Sequence, residues 1–580
     1  MNVCQVLTGH GGWPLSIFMT PDKKPFFAGT YFPKNDRMGI IGFITLLDRV
    51  SSAWQNNRED LMNSSSQIVD ALRKSEDVQG DIPKDIFDKA YSTFKYSFDN
   101  KYGGFGSAPK FPTPHNLYFL LRYWYITGEE FALEMVEKTL GAMRNGGIYD
   151  HIGFGFCRYS TDKEWLVPHF EKMLYDNALL AIAYLEAYQV TKKEEYADTA
   201  KEIFTYVLRD MTSESGGLFS AEDADSEGIE GKFYVWTPDE IKKVLGDNNG
   251  ELFCKTFDIS YDGNFEGLNI PNLINMSVEV DKKEFFKKCR QKLFDYRENR
   301  IHPYKDDKVL TAWNGLMIAA MAIGGRVLSN TKYTNAAEKV VSFIFNNLFD
   351  EGGRLLARYR DGDAAFKAYI DDYAFLVWGL LELYQTTYKP HYLEKSINLT
   401  KEAIRLFWDE ENGGFYLYGS DGEQLIIRPK EIYDGAMPSG NSVFAMNLIK
   451  LARLTGQYQF EEYAQKMFKV FSSSVSQVPS GHTFLLCSHM FFKHPTKELV
   501  ISGVNEQLDS ESMIDVVREG FNPFALTLYY TDIYPELLRI VPIIQDYKPI
   551  DGKTAVYICE NFTCQTPVTD PDVLRQSLLQ

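Results

Sequence analysis

Two kinds of helical pattern alternate along most of the chain. In one, apolar residues recur at three- and four-residue spacing and the rest are polar, as over 195–212 and 333–349. In the other, nearly every position is apolar, as in ALLAIAYL from residue 178 and GLMIAAMAI from residue 315. A half-polar helix keeps one face in water, whereas a helix apolar all round must be enclosed. The two kinds pair in order: 84–98 with 115–127, 130–144 with 169–189, 195–212 with 309–328, 333–349 with 370–387, 392–408 with 439–455, and 459–475 with about 483–492. A Gly pair lies between the partners in the first five units, and a single Gly481 in the sixth. Such pairs permit the positive φ that ends a helix and turns the chain. The third unit carries an insertion, 218–308. Six hairpins with enclosed helices inside and amphipathic helices outside predict a mainly α chain built on an (α/α)6 barrel over 79–494. An open solenoid is the alternative, but the loops before the enclosed helices are longer and chemically richer than it needs.

The ends differ. Residues 1–38 read as β, two apolar runs around a Pro/Asp turn in WPLSIFMTPDKKPFFAGTYFP, and 39–75 read as helical. Residues 79–83 form a linker after this first segment, 1–78. Over 495–580 the runs ELVISGV and LRIVPII suggest a small α/β appendage.

Charge and cysteine usage narrow the partners. The net charge of −18 argues against nucleic acid and anionic membrane. No uninterrupted apolar run reaches membrane-spanning length, and the opening residues are not a signal peptide. Seven mostly scattered cysteines suit free thiols in a reducing, cytoplasmic setting, with Cys559 and Cys564 among them. The N-x-S/T matches at Asn63, Asn275, Asn398 and Asn561 then carry no meaning.

The chemistry gathers where enclosed helices begin. The stretch 145–189 is the densest: a Gly- and aromatic-rich loop with Tyr149, Asp150, His151 and Arg158, then a helix expected from about His169 with Glu171, Tyr175 and Asp176 in its first turns. Other helix starts offer Asp307, Trp313, Asn314 and Asp372, and the third unit's loop offers Asp225. Any one Asp or Asn there serves as a helix cap. Their number, with His and Tyr among them, points to a pocket for a polar, flat-faced ligand such as a sugar. His151, His169 and Glu171 are the candidate catalytic groups, since His transfers protons near neutral pH. Tyr149, Asp150, Tyr175, Asp176, Asp225, Asp307, Trp313, Asn314 and Asp372 are the candidate substrate contacts. Two bases facing one carbon would serve epimerisation or isomerisation, and two carboxylates glycoside hydrolysis. The segment from Asp223 begins like a calcium loop, but its twelfth position is Tyr234 rather than Glu. With no HExxH, Walker loop or GxGxxG, neither metal nor cofactor is expected. The oligomeric state stays open.

GHGGWPLSIFMTPDKKPFFAGTYFP, KFPTPHNL, SAEDADSEGIEGKFYVWT, DDKVLTAWNGLMIAA, DDYAFL, SGNS and CENFTC, with the 146–180 stretch, resemble the family of spermatogenesis-associated thioredoxin-like proteins and their bacterial homologues. That resemblance implies a thioredoxin-like domain followed by a barrel similar to N-acylglucosamine 2-epimerases and six-hairpin glycosidases. It also implies a cis-proline at Trp13-Pro14. The family's Cys-x-x-Cys segment is absent, so the first 78 residues match only the later half of that domain, and thiol exchange by the usual route is not expected of this polypeptide. The expected function is action on a carbohydrate as epimerase, isomerase or hydrolase. The alternative is a non-catalytic carbohydrate- or protein-binding member that has lost redox activity.

Overall fold

The computed structural model describes residues 1–73, 79–423, 426–504, 508–531, 534–560 and 563–578. The end of the 39–75 stretch and of the 1–78 segment, and the N-x-T match at Asn561, lie outside these. By internal packing the chain divides into two compact units, one of 1–79 with 421–429 and one of 80–420 with 430–580.

The first unit opens with a helix, α1 (Asn2–Thr8), where the β pattern had been expected. It ends in Gly9 at φ +77°, whose N–H caps the Gln5 carbonyl. Trp13-Pro14 is cis. Strands Ser16–Met19 and Pro25–Gly29 then pair as an antiparallel hairpin. Helices α2 (Phe43–Asn56) and α3 (Arg58–Arg73) follow, split at Asn57.

The second unit is built on a closed ring. The half-polar helices are α4 (Ile86–Ser97), α6 (Glu130–Asn145), α8 (Glu194–Asp210), α13 (Thr331–Asn347), α15 (Pro390–Phe407) and α17 (Gln459–Val470). The enclosed ones are α5 (Pro114–Thr127), α7 (Leu174–Thr191), α12 (Thr311–Val327), α14 (Ile370–Thr387), α16 (Gly440–Thr455) and α19 (Thr483–Lys493). Each enclosed helix packs on the next, α5 on α7, α12, α14, α16 and α19 in turn, and α19 packs back on α5. The ring closes, so the architecture is an (α/α)6 barrel and not a solenoid. Each half-polar helix from α6 to α17 packs outside its enclosed neighbour, while α4 meets the turn Pro479–Gly481. The sixth unit's first helix breaks after Val470 into a short α18 (Ser472–Gln477). A leucine such as Leu376 or Leu383, fully enclosed in α14, contributes about 1.5–3 kcal/mol.

The Gly pairs do not all work by positive φ. Gly103 and Gly104 lie at +66° and +76°. Gly146 and Gly147 do not, yet a Cβ there would sit 2.3 Å from the Trp165 carbonyl oxygen and 2.1 Å from that of Leu166. Close approach of backbone demands glycine in that unit.

The insertion packs α9 (Pro238–Leu245), α10 (Asp247–Thr256) and α11 (Lys283–Arg297) around Trp236, Phe253, Phe257 and Phe286, with Ile152 of the barrel loop in the same cluster. The last residues form a four-stranded sheet in the order Ala525–Tyr530, Lys497–Ser502, Ala555–Glu560, Thr563–Cys564, the first pair parallel and the rest antiparallel. With it go α20 (Leu508–Glu519), α21 (Glu536–Ile540) and α22 (Pro571–Leu578). Cys559 and Cys564, expected as free thiols, are opposite each other on the last strand pair and form a disulfide. The other five cysteines are free and buried. No described helix is long and apolar enough to cross a membrane.

Candidate active site

The mouth at the helix N-termini is shaped by short strands laid just ahead of the enclosed helices. Lys172–Met173 pairs with Ala221–Glu222, which pairs with Lys305–Asp306. This pairing delays the helix after Pro168. It starts at Leu174 rather than His169, and 169–173 is a strap with Phe170 at φ +43°. His169 and Glu171 are therefore on the strap, presented at the mouth.

A connected group forms around that strap. The His169 ring lies between two carboxylates, with Nδ1 3.0 Å from Glu230 Oε1 and Nε2 3.7 Å from Glu171 Oε2. It also stacks on Tyr159, centroids 4.9 Å apart, and Tyr159 stacks on Phe111. Arg158 donates to Glu171 at 3.1 Å. The side chains of His169 and Glu171 remain 32% and 26% exposed, so a ligand can reach both. Behind them, Arg158 hydrogen-bonds Tyr175, which hydrogen-bonds Asp176. The Tyr175 ring meets Trp313 edge-on at 4.8 Å. Asp176 is buried, with Oδ2 unpartnered. Burial pushes its carboxyl well above the usual carboxylate range, against the pull of Arg158 and Tyr175. Asp225 is exposed on the short hairpin Asp225–Ser226/Ile229–Glu230, opposite Glu230. That hairpin brings Glu230 to His169, a partner 61 residues distant that no local pattern announces.

The remaining predicted residues are placed elsewhere or committed to the fold. His151 is 1% exposed. Its Nε2 lies 3.1 Å from the Gly146 carbonyl oxygen and its Nδ1 3.3 Å from Arg144. Burial and then Arg144 push its pKa down to about 3, so it is a neutral structural ring. Asp150 is gripped bidentately by Arg297 at 2.9 and 2.8 Å and by Lys172 at 2.8 Å. Those cations outweigh its burial and hold its pKa far below the usual range. The Tyr149 hydroxyl donates to Glu202 at 2.6 Å inside the core. Asn314 accepts from the Leu218 N–H and donates to the carbonyls of Leu218 and Leu310. Asn177 does the same with Phe156 and Met173, and Asn441 with Phe415 and Glu431. An Asn in the first turn of three enclosed helices, fourth in α7 and α12 and second in α16, is thus a clasp on the preceding loop, not a ligand contact. Asp372 accepts from the N–H groups of Tyr369 and Ala312, a cap for its own helix and a brace for the neighbouring one. Asp307 pairs with Arg360 at 2.7 Å.

A closed six-hairpin helical barrel, with a partly exposed His and Glu at the mouth where its enclosed helices begin, defines the class. The family model described as Thioredox_DsbH, protein of unknown function DUF255, matches residues 1–73. Human spermatogenesis-associated protein 20 is 34% identical over 634 residues, covering 100% of this chain and 80% of its own. The chain belongs to the spermatogenesis-associated protein 20 family. Among solved structures, a D-mannose isomerase aligns over 66% of this chain and 84% of its own, at 11% identity and a TM-score of 0.45. A GH76 α-mannanase from Bacteroides thetaiotaomicron aligns over 67% and 82%, at 13% identity and 0.40.

Proposed function

We propose that the mouth formed by His169, Glu171 and Arg158 isomerises or epimerises a reducing sugar. The observation that carries this is a reachable imidazole set between two carboxylates, with aromatic faces beside it. On an open-chain aldose, His169 takes the proton from the carbon next to the carbonyl. The electron pair left behind forms the enediolate C=C bond as the carbonyl π pair moves to oxygen. Arg158 is placed to stabilise that oxyanion, and Glu171 to hold Arg158 and the imidazolium that forms. Passing the O2 proton to O1 while the abstracted proton returns to C1 turns O2 into the carbonyl and gives the ketose, whereas return of the proton to C2 on the opposite face restores the C1 carbonyl and gives the epimer. Phe111, exposed at the end of the Tyr159 stack, offers a ring to the sugar's C–H face.

The test is proton NMR of a panel of aldoses and ketoses in D2O with the full chain. Exchange of the C2 proton with conversion is expected, and its loss in His169→Ala and Glu171→Gln. Saturable sugar binding with no exchange in the wild type would favour a binding protein instead.

A further inference from the structure

The opposite mouth of the barrel, where the enclosed helices end, is covered by residues 517–527, between α20 and the strand Ala525–Tyr530. Gln385 exchanges two hydrogen bonds with the Thr527 backbone at 2.8 and 2.9 Å, and Gln189 donates to the carbonyls of Arg518 and Gly520. These amides hold the cover in place. Beneath it is a cavity of about 150 Å³. A water needs roughly 10–15 Å³ on that measure, so the space suits a molecule of several heavy atoms.

Its charges do not balance. Arg122 and Glu186 form a bidentate pair at 2.9 and 2.8 Å and cancel. Glu382 is shared by two cations, Arg326 at 2.5 Å and Lys450 at 2.7 Å. Burial opposes its charge, but Lys450 and Arg326 outweigh that and bring its pKa down to about 2. Arg518 donates to the Thr386 carbonyl and the Tyr388 hydroxyl, both neutral, its Nε is buried with no acceptor, and among the described residues no carboxylate pairs with it. Four cations therefore line the cavity against two carboxylates. Arg326 and Arg518 stand in the last turns of α12 and α20, where the helix dipole offsets part of their charge, but Arg122 and Lys450 stand more than a turn before their helix ends and gain nothing from it. Buried charge left unpaired is costly. An anion would remove that cost. Trp378 and Phe484, edge to face at 5.2 Å, line the same cavity and offer an apolar surface.

We propose that this cavity binds a small organic anion, a carboxylate or phosphate attached to a compact apolar group, with the anionic end toward Arg518 and Lys450. The site is separate from the proton-transfer group and does not depend on how that group is read.

The test uses the full chain, with benzoate, phenyl phosphate and inorganic phosphate as probes and benzyl alcohol as the neutral control. Binding is read by titration calorimetry and by 31P line broadening of phenyl phosphate. The expected result is that one or more of the anions binds, benzyl alcohol does not, and Arg518→Gln weakens binding at least about tenfold. Benzoate against phenyl phosphate decides between carboxylate and phosphate. Lys450→Gln serves as a second variant, and each variant is checked for an unchanged folded circular dichroism spectrum. No binding of any of the three anions, or equal binding by wild type and folded Arg518→Gln, overturns the proposal.

Discussion

Arg158 donates to Glu171 across 3.1 Å at the barrel mouth, joining the loop before the strap to the strap itself. Both side chains are partly exposed, so the pair contributes below about 1 kcal/mol to stability. Glu171→Gln should leave the melting temperature within about 2 °C of wild type. It should also reduce C2-proton exchange at least about a hundredfold, if Glu171 holds Arg158 on the oxyanion. A large drop in melting temperature would instead make the pair structural.

Asp176 gives a pH signature. Its carboxyl is held above the usual range by burial. Above the unfolded pKa, near 4, the folded state keeps a proton that the unfolded state has lost. Stability from this group therefore falls as pH rises from about 4 toward its folded pKa. Asp176→Asn removes that dependence. The melting temperature of the variant minus that of wild type should increase as pH rises from about 4.5 and level off above the folded pKa, and a flat difference throughout would contradict the assignment.

His151 behaves in the opposite sense. With a folded pKa of about 3 and an unfolded value near 6.5, the unfolded state binds the extra proton between them. Wild-type stability is therefore lost as pH falls below about 6.5. His151→Gln should close on wild type by about 2–3 kcal/mol between pH 6.5 and 4.5, measured by urea unfolding at each pH.

The insertion is tied to the barrel by Arg297, whose guanidinium grips buried Asp150. Arg297→Met strands part of that carboxylate's pairing and should cost about 3–5 kcal/mol. Chemical denaturation checks the size. Limited proteolysis should show cleavage within 218–308 first.

Asn314→Ala deletes the clasp on Leu218 and should destabilise by roughly 3 kcal/mol without altering sugar binding. A selective loss of binding would return Asn314 to the ligand.

The barrel was legible because its cause is local and repeated. Helices apolar all round, such as 178–189, have nowhere to go but inside, and six of them in alternation with half-polar ones leave few topologies. The strap was not legible. PHFEKMLYDN reads as one helix, yet two residues of strand pairing to Ala221–Glu222 hold 172–173 extended and keep 169–171 out of the helix, and such pairing depends on chain far away. The same holds for His151, whose neighbourhood looked catalytic until Arg144 and the insertion enclosed it. The Cys559–Cys564 bridge likewise depended on a hairpin register that spacing alone did not reveal.

The sequence by itself determined the helix periodicity, the count of hairpins, the acidic surface and the crowding of acids, His and aromatics at helix starts, all properties of residues near one another in the chain. Only the tertiary structure decided which of those residues keep a free face. A cap, a clasp, a buried ion pair and a reachable acid use the same residue types, and they differ in what a distant segment brings against them. Glu230 reaching His169, Arg297 closing on Asp150, and 517–527 lying over the far mouth are such events.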